Sequence, residues 1–445
     1  MKSAWLRVGV MGMLAVALSS GIDPWIDALS GAFVPADIAQ DAAAARLFRD
    51  RIDPYSPAIR EQQTNLIGLP VAAAFPHFPH PPFSLIVSLP LAFTSFRVGA
   101  ALWFAFTLAL LLVLAALLAV GDGSGRPARA DVWRFGALLL VWPPVLYCLE
   151  KGQWSMLLAV LLTLSWRSTV RGDLRGGAIW GGAAAAVKVF PVLLGPFFLL
   201  RSLRAVSWFV LTGLVLTAVP LVWIGSGAFA GFIRESRLNM PYWESFPLVM
   251  FSIHGAIARL FIGGQGARPL FHAPLLAAAI DVLAVGALFA ALVWITLRAT
   301  PCKAAQSLVF CAWLIVLPVL NPQSLGHNGI MLALPIVVLA RTLSVAGLQW
   351  QRWAWAASIV LVSIPKQTVW RFAPPPVEPL AGLVVSSLPT WGALLLFLVA
   401  ISLARHVIAG TAADGRSGKI MGLPTSRFAG ATADPSGAGR PVHAG

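Results

Sequence analysis

Apolar stretches near residues 5–22, 82–95, 98–120, 135–150, 153–166, 177–200, 207–225, 272–297, 305–320, 328–340, 353–365 and 383–404 recur from one end of the chain to the other. Between them little sequence is left for a water-facing shell. Of 445 residues, 58% are hydrophobic and 11% charged, whereas soluble domains carry about a quarter charged residues. Lipid is therefore the solvent for most of the chain. Backbone N–H and C=O groups in lipid must pair within their own segment, which confines runs of this length to helices. The pattern predicts an all-α, polytopic transmembrane helical bundle with about 10 to 13 crossings. Residues 1–408 are expected to form this membrane domain. Residues 409–445, rich in Gly, Ala, Ser and Pro, are expected as a disordered cytoplasmic tail.

The formal charge of +15 comes from short clusters between apolar runs, such as GRPARADVWR (125–134), RSTVRGDLR (167–175) and RSLR (201–204). That distribution follows the positive-inside rule for cytoplasmic loops, and no basic stripe interleaved with aromatics suggests a nucleic-acid partner. The three cysteines, Cys148, Cys302 and Cys311, have no metal-ligand spacing. The start, MKSAWLRVGVMGMLAVALSSG, has the form of a signal peptide. With so many later spans, it is read as an uncleaved first helix whose Lys2/Arg7 end is cytoplasmic.

Placing the basic clusters inside puts four polar stretches on the external side: 34–57, 151–153, 188–191 and 321–328. Parity then requires an odd number of crossings over 82–120, so 82–95 is expected as a half-helix that dips into the membrane. Short segments broken by Pro or Gly are tolerated at membrane depth only where they line a protein-walled cavity.

The first external stretch, VPADIAQDAAAARLFRDRIDPYSP (34–57), concentrates charge in a chain that otherwise has little. Asp37 with Gln40 reads as an N-cap and its capping box; the same carboxylate, held at the membrane face, could take a proton from a hydroxyl. The residues alone favour the cap. Asp41 lies one turn on and shares its face, so two close carboxylates would raise one pKa, or Asp41 pairs with an arginine. Arg46, Arg49 and Arg51 are expected to be solvated or to meet headgroups, with one of them a candidate phosphate ligand. Lys188 is the sole charge between Arg175 and Arg201. It is either a functional intramembrane charge or a lysine that snorkels beside Pro191. His327 shares a polar turn with Asn321, Gln323, Ser324 and Asn328. His77 and His80 sit among prolines that prevent a regular metal-binding helix. Tyr55, His80, Gln153 and Gln323 join Asp41 and Arg46 as candidate substrate-binding residues.

An Asp shortly after the first helix, an alanine-rich helix ending in DPY, and PPF opening an apolar segment together resemble the GT-C membrane glycosyltransferases. Three later pieces follow in order: GQWSMLLAVLLTL (152–164), GAIWGGAAAAVKVFPVLL (177–194) and NPQSLGHNGIMLALP (321–335). The ordered set, spanning roughly 30 to 340, resembles glycosyltransferase family 87. The resemblance implies a GT-C-type bundle in the cell membrane, with an interfacial helix in its external first loop and its active site on the external (periplasmic) face. It implies an inverting transfer of a sugar, mannose by family default, from a polyprenyl-phosphate donor to a lipid or glycan acceptor. On that basis Asp37 matches the proposed general base. Lys188 matches the lysine of the family's K-x-x-P turn, and His327 matches a histidine in the late polar turn; both are expected at the donor phosphate. With no D-x-D pair, neither a divalent metal nor another cofactor is expected. Two features depart from the family: Asp41 stands where an aromatic residue is common, and the turn reads RIDPY rather than GxDPY. The rival class is a transporter or flippase for a lipid-linked or anionic substrate, which would carry its charges near the midplane. A lipid-binding scaffold is a third.

Overall fold

The structure, a computed structural model, describes residues 4–19, 36–67, 78–122, 127–244, 250–264, 267–299, 302–364 and 386–413. Among them helices carry the whole fold, and the only β-type pairing is a lone bridge between Gly264 and Ala267. Among the described residues, six helices are long and apolar enough to cross a membrane: Phe96–Val120, Leu203–Ile224, Pro274–Arg298, Lys303–Leu320, Gly326–Ala346 and Leu388–Gly410. A seventh crossing arises if Arg129–Leu140 and Pro143–Lys151, bent by 70°, form one span. The chain is a multi-pass helical membrane protein. Six or seven crossings thus meet the length of a full span among the described residues, against the 10 to 13 expected. Shorter apolar helices, Ala4–Leu18, Phe83–Phe93, Ser155–Val170 and Phe190–Arg201, accompany them, each with fewer than the roughly 20 residues of a straight full span.

The segment expected to dip is such a broken piece. Phe83–Ser88 is α-helical and Leu89–Phe93 continues as a 3₁₀ turn; at about 1.5–2 Å per residue it covers little more than half a bilayer core. The helix after the N-terminus, Ala4–Ser19, is docked on Gln349–Ser363, with Trp5 edge-on to Trp355 at a ring separation of 4.9 Å.

Burial sorts the spans. Lys303–Leu320 is the central post, 83% buried, whereas Pro274–Arg298 and Leu203–Ile224 are 11% and 17% buried and present their apolar faces outward. Leu203–Ile224 meets the bundle chiefly through Leu174–Val187, against which it lies close because Gly181 and Gly182 present no side chain. Small residues are what permit such approach between membrane helices. Two turns into Pro274–Arg298, Asp281 Oδ2 is 2.7 Å from His254 Nδ1. His254 Nε2 faces the carbonyl of Leu320 at 3.2 Å, tying three elements together.

The bundle has two chemically different ends. At one, Arg341 donates to the carbonyls of Leu118 and Ala119, and Arg171 to that of Asp122. This is the end of the basic turns. The last helix, Leu388–Ala413, continues past the expected domain boundary at 408; the remainder of the expected tail lies outside the described residues.

Candidate functional site

The end opposite the basic turns is built by four pieces of chain. The first is the helix Ala36–Arg49, whose small alanine face is buried against the Phe83–Phe93 segment. Asp37 falls in its first turn, where a carboxylate is favoured by the helix dipole. This replaces the expected N-cap role, because the helix already begins at Ala36 and the carboxylate is engaged elsewhere. The second piece is the tip between Pro143–Lys151 and Ser155–Val170. Gly152 takes a left-handed conformation (φ 68°), which a side chain would disfavour. This αL cap reverses the chain and aims Gln153 and Trp154 at the first helix. The third is the break after Leu174–Val187, where extended Lys188 ends the helix ahead of the Phe190–Leu194 3₁₀ turn. The fourth is the 3₁₀ turn Gly326–Leu332.

Side chains from these pieces interlock. Gln153 Nε2 donates to Asp37 Oδ2, and Gln153 Oε1 accepts from Lys188 Nζ at 2.8 Å. Trp154 Nε1 donates to Asp41 Oδ2 at 3.0 Å. Ser155 Oγ donates to Asn328 Oδ1 at 3.0 Å, tying the Gln153 tip to the late turn. In that turn His327 is buried, its ring 5.7 Å from that of Tyr147 and its Nδ1 without a protein partner. Lys188 acts electrostatically on His327, His80, Asp41 and Asp37, so all four lie within reach of one charge.

Burial shapes the protonation of the first helix. Asp37 is pushed up from the ordinary carboxylate range by desolvation, against the opposing pull of the Gln153 hydrogen bond and the Lys188 charge. Asp41 is pushed well above it, by desolvation and then by the neighbouring Asp37. His80 is pushed well below its ordinary value by burial, with Lys188 adding to the effect. Among the described residues, no three His, Cys, Asp or Glu side chains gather as a metal ion would need.

A sequence model of glycosyltransferase family 87 matches residues 78–311, more than half of the chain. The chain belongs to glycosyltransferase family 87. It is a membrane glycosyltransferase, acting between a sugar donor and an acceptor. No curated protein matches it. The family match contains His80, Gln153 and Lys188; Asp37, Asp41 and His327 lie outside the matched residues and reach the site through the contacts above.

The three candidate arginines each make a protein contact. Arg46 Nη2 donates to the carbonyl of Thr94 at 2.9 Å, and Arg49 Nη1 to that of Ala92 at 2.7 Å. Both therefore fasten the Ala36–Arg49 helix to the Phe83–Phe93 segment, while Arg49 and Arg51 remain exposed, as expected of solvated side chains. The Arg51 guanidinium lies 4.1 Å from the centre of the Trp223 ring. Tyr55 is buried and donates its hydroxyl to the carbonyl of His80 at 2.9 Å, so it holds His80 rather than facing an open site. Gln323 is half-buried in the late turn, with its N–H directed to Asn321 Oδ1 at 3.3 Å. His77 lies outside the described residues. Sequence reasoning missed Trp154, the partner of Asp41, and Tyr147, which covers His327. The left-handed glycine signal at Gly152 marks where such residues would be turned inward.

Proposed function

We propose that this glycosyltransferase transfers a hexosyl unit, in the first instance mannose, from a polyprenyl-phosphate donor to an acceptor hydroxyl, with inversion, at the external face of the cell membrane. The observation that carries the proposal is the bridge Asp37–Gln153–Lys188, which sets a carboxylate and a lysine on either side of one amide. Asp37 accepts the proton of the acceptor hydroxyl as that oxygen bonds the anomeric carbon. The bond from the anomeric carbon to the phosphate oxygen breaks on the opposite face, and its electron pair leaves with the polyprenyl phosphate. Lys188 stabilises the charge that grows on that phosphate, with His327 as a second ligand. The polyprenyl chain is accommodated along the apolar outer faces of the bundle, consistent with the low burial of Leu203–Ile224 and Pro274–Arg298.

A flippase would be expected to carry its polar groups near the midplane, whereas here they gather at the end away from Arg171 and Arg341. The test is sugar transfer from labelled polyprenyl-phosphate mannose by purified protein. Wild type is expected to turn over, and Asp37→Asn to lose about a thousandfold or more of kcat, within the range that general-base removal produces. Full activity in Asp37→Asn would remove the carboxylate from the mechanism. Absence of transfer from any polyprenyl-phosphate sugar would remove the donor assignment.

A further inference from the structure

We propose that Asp41 and His80 form a clip for one hydroxyl of the donor sugar and so determine which sugar the enzyme accepts. The clip rests on the reading of Lys188 as the donor-phosphate ligand.

The two side chains are almost fully buried, Asp41 at 1% and His80 at 4% exposure. One carboxylate oxygen of Asp41 is committed to the Trp154 indole N–H; the other, Oδ1, is buried and makes no hydrogen bond. Facing it is His80 Nε2, at 4.0 Å. That gap is too wide for a hydrogen bond. It is narrow enough that a single oxygen atom can lie at about 2.8 Å from both atoms at once. A hydroxyl donates one hydrogen bond and accepts another, so it complements the pair whichever of the two holds the proton. Neither a methylene nor a carbonyl does this.

The geometry is fixed before anything binds. The Asp41 rotamer is held by Trp154, itself braced edge-on by Trp103 at 4.5 Å. The backbone of His80 is held by the Tyr55 hydroxyl, and its ring lies against Phe78 and Trp154 at 5.4 and 6.2 Å. Both partners feel the charge of Lys188, and the sugar of the donor is bonded directly to the phosphate that Lys188 would hold. The hydroxyl in the clip is therefore assigned to the donor sugar. A site that leaves a buried polar group unpaired when the hydroxyl is missing discriminates far better than an apolar pocket.

The experiment is equilibrium binding of a short-chain polyprenyl-phosphate mannose, and of each of its monodeoxy forms, to the full chain in lipid nanodiscs. Wild type is expected to bind one monodeoxy form about 10- to 100-fold more weakly than the parent. Asp41→Leu and His80→Phe, which keep side-chain volume, should each weaken the parent and lose discrimination against that same form. Agreement of two variants on one hydroxyl supports the clip. If wild type binds every monodeoxy form as tightly as the parent, or if both variants keep the wild-type discrimination, the clip is overturned while the donor reading stands. If wild type binds neither the parent nor any deoxy form, both are overturned.

Discussion

Asp37 and Lys188 share one partner: the Gln153 amide, whose nitrogen serves the carboxylate and whose oxygen serves the ammonium. A primary amide is suited to this place because it offers a donor and an acceptor from one rigid plane. It sets the two charged groups at a fixed spacing, so that the base and the phosphate ligand are positioned as a unit.

The pH dependence of transfer follows from that bridge. Burial already holds the Asp37 carboxyl above its ordinary range, and a base must be ionised, so activity is expected to fall as pH drops through this raised value. Gln153→Glu removes the amide donor and adds a negative neighbour; Lys188→Met removes a positive one. Each favours protonated Asp37 and should move the acid limb of kcat/KM to higher pH. Gln153→Glu should also lower the plateau about 10- to 100-fold through lost positioning. A pH–rate profile measures both, and an acid limb that stays in place contradicts the assignment of Asp37 as the titrating base.

Asp41 carries a stability prediction of the opposite kind. Its folded-state carboxyl is held well above the ordinary range, so folding favours its protonated form. Its contribution to stability is therefore full below the unfolded-state pKa and is lost as pH rises towards the folded-state value. Asp41→Asn replaces the group with one that is neutral at every pH and can still accept from Trp154. It should raise the melting temperature at pH 8 by about 2–4 °C, with the gain fading at pH 4. A melting curve in detergent at the two pH values decides it. Such a gain on removal of a native residue is what a functional carboxylate kept at the expense of stability would show.

Helix class and the site's four polar stretches were legible because they depend on composition and on where charge interrupts apolar runs. Lys188 stands out in GGAAAAVKVFP without reference to any other residue. Partner choice was not legible. Asp37 reads as a cap until the left-handed turn at Gly152 brings Gln153 to it, a contact across 116 positions. The protein contacts of Arg46 and Arg49 were not legible because the carbonyls they satisfy, those of Thr94 and Ala92, lie more than forty residues on. Asp281 is visible in the sequence as a charge inside a span, but its His254 partner lies in another helix.

The RIDPY turn places an arginine where the backbone is left-handed. Arg51 adopts φ 59°, the left-handed conformation that ends the first helix, with Ile52 N–H on the Leu47 carbonyl at 2.8 Å. A side chain there costs about 1–2 kcal/mol relative to glycine. The stacking of Arg51 on Trp223 returns about 0.5–1 kcal/mol. Arg51→Gly is therefore expected to be neutral or stabilising by up to about 1 kcal/mol, and Arg51→Ala, which keeps the strain and loses the ring, to destabilise by about 0.5–1 kcal/mol. Denaturation of the three proteins side by side separates these outcomes; a large loss in Arg51→Gly would show that the ring contact outweighs the backbone.

Two glycines inside membrane helices give a paired test of how Lys188 is placed. A Cβ on Gly182 would collide with the Phe209 carbonyl oxygen and crowd Thr212, whereas one on Gly286 meets nothing within 4 Å. Gly182→Ala must therefore push Leu174–Val187 away from Leu203–Ile224, at about 1–3 kcal/mol. Gly286→Ala should be neutral or slightly stabilising, because alanine is the better helix former. Lys188 caps the displaced helix six residues beyond Gly182, and its 2.8 Å contact with Gln153 has no slack. Gly182→Ala should therefore also lower kcat/KM about tenfold, while Gly286→Ala leaves transfer unchanged. Melting temperature and turnover measured on both variants test the packing and its link to the site together. A Gly182→Ala enzyme that melts lower yet transfers at the wild-type rate would show that the Lys188 position does not depend on this helix contact.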